Sequence, residues 1–336
     1  MRNVFLLALI SIFFISCNNE VDLTSDYVDT TVVYGLLNPG ENTHYVRIQK
    51  AFLVNGNALD YAKVPDSIQY KPDDLTVVIE ERDSTSDVLK RTITLTPVIG
   101  ADKDTGIFAS SNHIIYKTPD NEKIFAQFVY KLVITNKKTG KVISGKTKLV
   151  KNTVADFFKT PGAGSVNWNS PIGTGYTMRW NHVGNGKIYQ PEVVFYFKEV
   201  NVLSGDTIQD SLSWRFVAIE YNPQLNADII ELNVPQNSFY EYVGNSLSPK
   251  PNIKRIIGWL NFKCYIGTDD LNTYINVNKP SIGIIQEKPL YTNITNGIGI
   301  FAARSSYIKR LVPLSEQSKD TLIFGKYTQN LSFFKN

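Results

Sequence analysis

Residues 188–217 read IYQPEVVFYFKEVNVLSGDTIQDSLSWRFV, and this stretch decides the fold class. Two long runs rich in aromatic and β-branched residues flank a short Ser-Gly-Asp turn signal at residues 204–206. Runs of this composition favour strands, and a tight glycine-containing turn between two of them is typical of an antiparallel hairpin. We therefore predict one strand over residues 188–200 and a second strand that passes through Trp214 and Ile219.

The chain on either side of this hairpin repeats the alternation of short strand-like runs and turns. Residues 30–150 carry turns about 8–12 residues apart, which is the spacing of a β-sandwich. A second hairpin is predicted where the turn at residues 136–140 joins residues 124–135 to residues 142–150. Further strands are predicted at residues 30–37, 44–49, 75–80, 92–96, 113–117 and 176–180.

Two segments break the strand pattern and predict short helices. Residues 233–247 place apolar side chains at i, i+4 and i+8, and residues 268–275 begin with a cap residue followed by two acids. Residues 151–165 end in a cluster of Pro, Gly and Ser that is typical of a domain junction. The sequence thus predicts a mainly β protein of two β-sandwich-like domains, of immunoglobulin or fibronectin type. These domains are predicted at residues 27–150 and 151–336, with a few short helices in the second.

The composition of the chain excludes several broad classes of protein. Of its 336 residues, 43% are hydrophobic and 20% are charged, so the chain is neither disordered nor fibrous. Its 35 basic and 31 acidic residues are too evenly balanced to indicate a nucleic-acid partner. A chain of this length can bury about 75% of its unfolded surface, so its core needs neither a disulfide nor a metal.

The first seventeen residues indicate export and lipidation. Arg2 precedes an apolar run at residues 4–15, which is too short to span a bilayer but suits the hydrophobic region of a signal peptide. The run ends in a small residue followed by Cys17, which resembles a bacterial lipobox with Phe14 where Leu is usual. We expect residues 1–16 to be removed and the Cys17 thiol to carry a diacylglycerol. The alternative is a chance cysteine after an ordinary secretory signal.

A cysteine and a tryptophan, residue types that often act in catalysis or ligand binding, are predicted to lie in the core. Cys264 stands inside the apolar run at residues 256–266, where a lone cysteine is typically a small buried hydrophobe and not a reactive thiol. Trp180 shares one strand face with Met178 and Tyr176, so it is predicted to pack inward and not to bind a sugar ring.

No motif of a known catalytic or metal centre occurs in the sequence. It lacks the C-x-x-C, H-E-x-x-H, G-x-S-x-G, Walker and G-x-G-x-x-G patterns. The three histidines are far apart in sequence and are expected at strand ends: His44, His113 and His182. Four glutamates of the second domain have spacings that give no reason to pair any two as acid and base: Glu192, Glu199, Glu220 and Glu231. We predict no catalytic residue, no metal and no cofactor.

Seven scattered stretches carry a family resemblance, at residues 32–39, 44–48, 106–109, 112–117, 239–243, 267–274 and 296–301. They resemble an uncharacterised family of Bacteroidota outer-membrane lipoproteins that are commonly encoded beside TonB-dependent transporters. The resemblance implies a lipid anchor in the outer membrane, on its periplasmic or its surface side, and brings no assigned chemistry. It favours a non-catalytic accessory protein whose partner is a TonB-dependent transporter or a surface glycan. The alternatives are a hydrolase of an exported polymer and a glycan-binding lipoprotein.

Two further signals have meaning within such a family. Residues 17–26 form a polar tether, and its Glu20 and Asp22 resemble the acidic signal of surface lipoproteins, although a soluble linker would look the same. Asp followed by Ser or Thr and then a small or apolar residue resembles the O-glycosylation signal of these bacteria, and roughly one match is expected from composition. Six sites match: Thr30, Ser67, Ser84, Thr207, Ser211 and Thr321. If they carry glycan, we expect their hydroxyls to be exposed at turn ends; the alternative is a turn that leads into a strand.

Overall fold

The computed structural model describes residues 30–51, 64, 68–100, 113–151, 157–159, 164–170, 175–225, 228–280 and 290–335. Of these residues, 52% lie in strands and 14% in helices, which confirms the predicted mainly β fold. The strands are β1 Thr30–Leu37, β2 Tyr45–Ala51, β3 Leu75–Asp83, β4 Leu89–Ile99, β5 Ile114–Lys117, β6 Phe128–Asn136, β7 Val142–Lys148, β8 Phe158–Lys159, β9 Tyr176–Asn181, β10 Ile188–Asn201, β11 Thr207–Arg215, β12 Ile219–Glu220, β13 Ile229–Val234, β14 Ile253–Gly267, β15 Ile294–Thr295, β16 Gly297–Pro313 and β17 Phe333–Phe334.

The larger sheet follows the order β11-β10-β14-β16-β1-β2-β5-β4-β3-β6-β7-β15, with β12 beside β10 and β17 beside β14. It folds over on itself at β4. The part of β4 up to Leu95 pairs with β3, and the part from Thr96 to Ile99 pairs with β5. A strand that passes from one layer to the other forms the corner of a sandwich. Side chains from both layers meet in the first core, among them Val33, Val46, Ile79, Leu132 and Ile134.

Strand β16 belongs to two sandwiches. Its first part pairs in parallel with β1, from Thr31 opposite Gly297 to Leu37 opposite Ala303. Its second part, from Arg304, pairs in antiparallel fashion with β14. The two cores therefore share one strand, and Phe301 of β16 is fully buried in the first core. The domain boundary between residues 150 and 151 stays a prediction.

The second sandwich packs the β11-β10-β14-β16 region against a small sheet with the order β13-β9-β8. Phe158 of the small sheet lies 5.9 Å from Phe262 of β14, measured between ring centroids. Tyr176, Met178 and Trp180 of β9 are at most 4% exposed in this core. Their predicted inward orientation is confirmed. The predicted β-sandwich-like class is confirmed as well.

Three α-helices lie within the described ranges: α1 Ser238–Ser246, α2 Asp269–Asn278 and α3 Glu316–Phe324. Single 3-10 turns occur at Pro72–Asp74 and Gln329–Leu331. The first two helices form where the sequence predicts helices, although α1 begins later because β13 occupies residues up to Val234. Helix α3 is not predicted, because its only buried residues are Ser318 and Leu322, too few for an apolar stripe. No described helix has the length and apolar character needed to cross a membrane.

Cys264 is fully buried among the apolar side chains of the second core. Burial raises the pKa of its thiol well above the usual value, because the thiolate would lose its hydration there. The prediction that Cys264 is a buried hydrophobe is therefore confirmed, and the neutral thiol is a poor nucleophile.

Candidate functional site

The predicted modification sites lie in different environments. Cys17 and Ser67 fall outside the described residues. Ser84 is exposed in the turn after β3, and Thr207 is exposed where β11 begins. Thr30, at the start of β1, is half-buried. The hydroxyls of Ser84 and Thr207 thus lie where the sequence predicts them.

Two other sites differ from the expected location at turn ends. Ser211 is exposed but lies in the middle of β11. Thr321 lies in α3, where its hydroxyl donates to the carbonyl oxygen of Gln317 at 2.9 Å and accepts from the amide of Asn169 at 2.9 Å. The Thr321 hydroxyl is therefore already engaged within the protein, both as a donor and as an acceptor.

The four glutamates considered as possible acid–base groups each face a cation and not another acid. The ion pairs are Glu192 with Arg215, Glu199 with Lys250 and Arg255, Glu220 with Lys187, and Glu231 with Arg179. A glycosidase needs two carboxyl groups that face each other across the substrate. The described residues also contain no group of three or more His, Cys, Asp or Glu side chains that could hold a metal ion.

A different feature stands out on the large sheet of the second sandwich. Alternation along β10 sends Val193, Phe195 and Phe197 into the core and leaves Glu192 and Tyr196 on the opposite side. Antiparallel pairing places β11 and β14 on either side of β10. We define the outer aromatic face by six of the side chains on this opposite side of the three strands: Glu192, Tyr196, Ser213, Arg215, Trp259 and Tyr265.

Cross-strand pairing assembles the charged end of the outer aromatic face. Arg215 of β11 stands directly opposite Glu192, and Lys263 of β14 stands opposite the same residue on the other side. Residues directly opposite each other in antiparallel strands project from the same face of the sheet. Tyr265 lies beneath the Arg215 guanidinium, whose central carbon is 5.8 Å from the centroid of the ring.

A β-bulge brings the second aromatic residue onto this face. The pairing of β10 with β14 shifts register between Phe195 and Phe197, so that Gly258 and Trp259 both oppose Tyr196. A bulge of this kind re-aims the side chain that follows it. The Tyr196 and Trp259 rings stack with their centroids 5.2 Å apart and their planes 15° apart. Glycine is needed before the tryptophan, because a Cβ at Gly258 would lie 2.4 Å from the carbonyl oxygen of Tyr196.

Glu192 is the polar centre of the face, and its side chain is held firmly. The residue is only 4% exposed, and the Ser213 hydroxyl donates a hydrogen bond to its Oε1. Burial raises the pKa of Glu192, but the hydroxyl groups of Ser213 and Tyr265 and the charges of Lys263 and Arg215 outweigh burial and leave the pKa below its usual value. Glu192 is therefore a carboxylate at neutral pH, and it orients the surrounding donors.

The outer aromatic face has the size and the residue types of a binding surface. Its two ends, at Glu192 and Tyr196, are four residues apart on β10, or about 13 Å at a rise of about 3.3 Å per residue. Tyr, Trp and Arg are the residues enriched in the energetic centres of interfaces, because they bury large areas at low conformational cost. Flat aromatic rings beside fixed hydrogen-bonding groups can contact an extended ligand.

Sequence reasoning considers Glu192 only as one of four glutamates and does not bring the residues of this face together. The alternation in residues 188–200 is visible in the sequence, and it is enough to place Glu192 and Tyr196 on the face opposite the core residues. The contribution of Trp259 could not be found in the same way, because the bulge at Gly258 reverses the alternation of β14. The partnership of Tyr265 with Arg215 depends on a pairing between strands that are distant in sequence.

Comparison with known proteins identifies no family for this chain. No protein-family model matches it, and no curated protein matches it. Among solved structures, it is similar to a chain of the structure titled "Cytokine receptor complex - Crystal form 1A", with 9% sequence identity and a TM-score of 0.20. That match covers 71% of this chain and 86% of the other chain.

Proposed function

We propose that this protein is a non-catalytic binding lipoprotein of the outer membrane, anchored through Cys17, and that the outer aromatic face is its contact surface. The observation that carries the proposal is the set of Tyr196, Trp259, Arg215 and Tyr265 on one sheet face around the fixed carboxylate of Glu192. The lipobox-like residues at the start of the chain support the anchor.

The partner that we favour is a TonB-dependent transporter. The resemblance to a transporter-associated lipoprotein family supports this choice, and Trp, Tyr and Arg side chains suit a protein interface. The engagement of the four glutamates with cations supports a role without catalysis. The protein would then act as an accessory subunit in transport or surface assembly.

A second candidate partner is a surface glycan. The stacked Tyr196 and Trp259 rings favour it, because an aromatic face can pack against the apolar side of a sugar ring while the exposed Arg215 binds hydroxyl groups. In this case the lipoprotein would hold an extended polysaccharide at the membrane. Both candidate partners would bind the outer aromatic face, and the molecule that co-purifies with the protein distinguishes between them.

The test is co-purification of the lipidated protein from its native membrane. Wild type is compared with Trp259→Ala and with Arg215→Ala, and Tyr45→Ala serves as a matched control because Tyr45 is an exposed tyrosine of β2, 47% accessible, in the other sandwich. We expect a TonB-dependent transporter to accompany wild type and Tyr45→Ala and to be depleted from the two variants of the face. A polysaccharide recovered in the same pattern would establish the second partner.

Two results would overturn the proposal. One is co-purification of the same partner at the same yield with Trp259→Ala and Arg215→Ala. The other is cleavage of a polysaccharide by the purified protein, with loss of that activity on substitution of one Asp or Glu residue.

A further inference from the structure

A cavity of about 640 Å³ opens where the first sandwich meets the turn between β9 and β10. One wall is apolar and is formed by Phe125, Ala126, Phe128 and Val129. A second, polar part of the lining is formed by Lys148, Lys151 and Asn185, with Lys148 directly opposite Val129 in the pairing of β6 with β7. The cavity shares no residue with the outer aromatic face, and its size is in the range of small-molecule sites.

The apolar wall is held in place by a buried hydrogen-bond network. The Phe125 N–H donates to the Tyr130 hydroxyl at 2.8 Å, and that hydroxyl donates to Glu81 Oε2 at 2.8 Å. Arg91 donates to the same carboxylate oxygen at 2.9 Å. Tyr130 is fully buried and Glu81 is 4% exposed, whereas Phe125 itself remains 47% exposed. A large apolar side chain is thus presented to the cavity by a rigid support.

The basic wall is held in place by the turn between β9 and β10. The Lys151 N–H donates to the carbonyl oxygen of Gly184 at 2.9 Å, and the aliphatic stem of Lys151 lies across that glycine, whose added Cβ would be 2.7 Å from Lys151 Cδ. Asn185, with a φ of 65°, donates from its amide to the carbonyl oxygen of Leu149 at 2.8 Å. These contacts fix the strand end that carries Lys148 and Lys151.

The lysines that line the cavity differ from the neighbouring Lys146 in their ion pairing. Lys146, two residues earlier on β7, forms an ion pair with Asp87 at 2.8 Å. Within the part of the chain that the structure describes, no carboxylate forms an ion pair with Lys148 or Lys151. Lys148 and Lys151 therefore bring two positive charges to the lining of the cavity, and a ligand carboxylate there would form charge-assisted hydrogen bonds.

A smaller cavity of about 330 Å³ continues from this site and limits what it can hold. It shares Val129, Lys148 and Asn185 with the first cavity, and Lys146 and the α2 residues Asp269 and Asp270 also line it. Asp270 accepts a hydrogen bond from the Tyr291 hydroxyl at 2.6 Å, which keeps this carboxylate in place. A ligand with many negative charges would be repelled at this end, whereas a single carboxylate beside the lysines would not.

We propose that the cavity binds a small molecule that joins one carboxylate to an apolar or aromatic group. The carboxylate lies against Lys148 and Lys151, and the apolar group packs on the exposed ring of Phe125. This ligand class matches both parts of the lining at once. An uncharged apolar compound would leave the ammonium groups without a partner, and a small hydrophilic anion would leave the Phe125 ring exposed to water.

Calorimetric titration of the full mature chain tests the proposal with three probes. 3-Phenylpropionate carries both features, 3-phenylpropionamide lacks the charge, and acetate lacks the apolar group. We expect 3-phenylpropionate to bind at least tenfold more tightly than either of the other two. Binding of the amide or of acetate as tightly as 3-phenylpropionate would overturn the proposal, and so would the absence of binding by all three.

Variants assign the binding to this cavity. We expect Lys148→Gln and Lys151→Gln each to weaken 3-phenylpropionate binding roughly tenfold, which is the usual loss on removing a hydrogen bond to a charged group. Phe125→Ser should weaken it as well. Lys138→Gln is the matched control, because Lys138 pairs with Asp74 at 2.8 Å and lines neither cavity, and it should leave the affinity unchanged. Equal loss in Lys138→Gln and Lys148→Gln, or no loss in any variant, would refute the assignment. Trp259→Ala should bind like wild type, which separates this result from the test of the outer aromatic face.

Discussion

Arg255 is the charged residue whose removal should cost the second sandwich most. Its side chain is 1% exposed, and its guanidinium donates to Glu199 Oε1 at 2.9 and 3.1 Å, to the carbonyl oxygen of Leu331 at 2.8 Å and to that of Ser248 at 3.0 Å. The backbone N–H of Arg255 also donates to the carbonyl oxygen of Ser332 at 2.9 Å. One side chain thus connects β14 to β10, to the segment after α1 and to the C-terminal segment.

The expected effect of Arg255→Met follows from these contacts. Removing one partner of a buried ion pair costs about 3–5 kcal/mol, because the remaining charge stays buried without its counter-ion. Glu199 keeps Lys250 at 2.7 Å, which places the effect near the lower limit, about 3 kcal/mol. With a urea dependence of about 3 kcal/mol per molar, the unfolding midpoint should fall by about 1 M.

Tryptophan fluorescence is the appropriate assay, because all four tryptophans lie between residues 168 and 259 and report on the second sandwich. Arg179→Met is the matched control. Arg179 pairs with Glu231 at 2.8 Å, but both side chains are more than half exposed, so its loss should cost less than about 1 kcal/mol. Equal midpoint shifts for Arg255→Met and Arg179→Met would refute the reasoning that burial, and not ion-pair distance, sets the cost.

Three further predictions concern acid stability, anchoring and modification. His44 is 1% exposed, and burial lowers its pKa below 6.5. The unfolded state therefore binds more protons than the folded state, and the protein should lose stability as the pH falls below about 6.5. The unfolding midpoint measured by circular dichroism should fall less between pH 7.5 and 5 for His44→Leu than for wild type. Cys17→Ser should shift the protein from the membrane to the soluble fraction, and unchanged membrane partitioning would contradict lipidation. Intact mass from the native host should exceed that of the lipidated polypeptide, with Ser84 and Thr207 as the modified positions, whereas a mass equal to it would exclude glycosylation.

Local sequence signals predicted most of the strands because each strand buries one face and ends at a turn. β1 was predicted with the bounds that it has in the structure, and β10 ends one residue beyond the prediction. The strand predicted through Ile219 instead ends at Arg215, and Ile219 begins the separate short strand β12. There the backbone of Phe216 still bonds to Pro191, but the ladder does not continue.

Long-range relations could not be read from the sequence. The pairing of β1 with β16 has no local signature, since period-two alternation is the same whichever strand lies alongside. The outer aromatic face was missed for a similar reason, because one bulge at Gly258 decides which side Trp259 occupies. Helix α3 was missed because its N-cap, Ser315, is a single weak signal without an apolar stripe behind it.

The strand shared by the two sandwiches has a consequence for the order in which the chain can fold. Thr31 pairs with Gly297, which follows it by 266 residues, so the hydrogen-bonding edge of β1 lacks its partner until nearly the whole chain has been made. At about 5–20 residues per second, synthesis of that interval takes about 10–50 s. During this time the edge of β1 is a template for pairing with other chains. The nascent protein therefore has a long period of vulnerability to aggregation, and a chaperone that covers β1 would be needed most before β16 emerges.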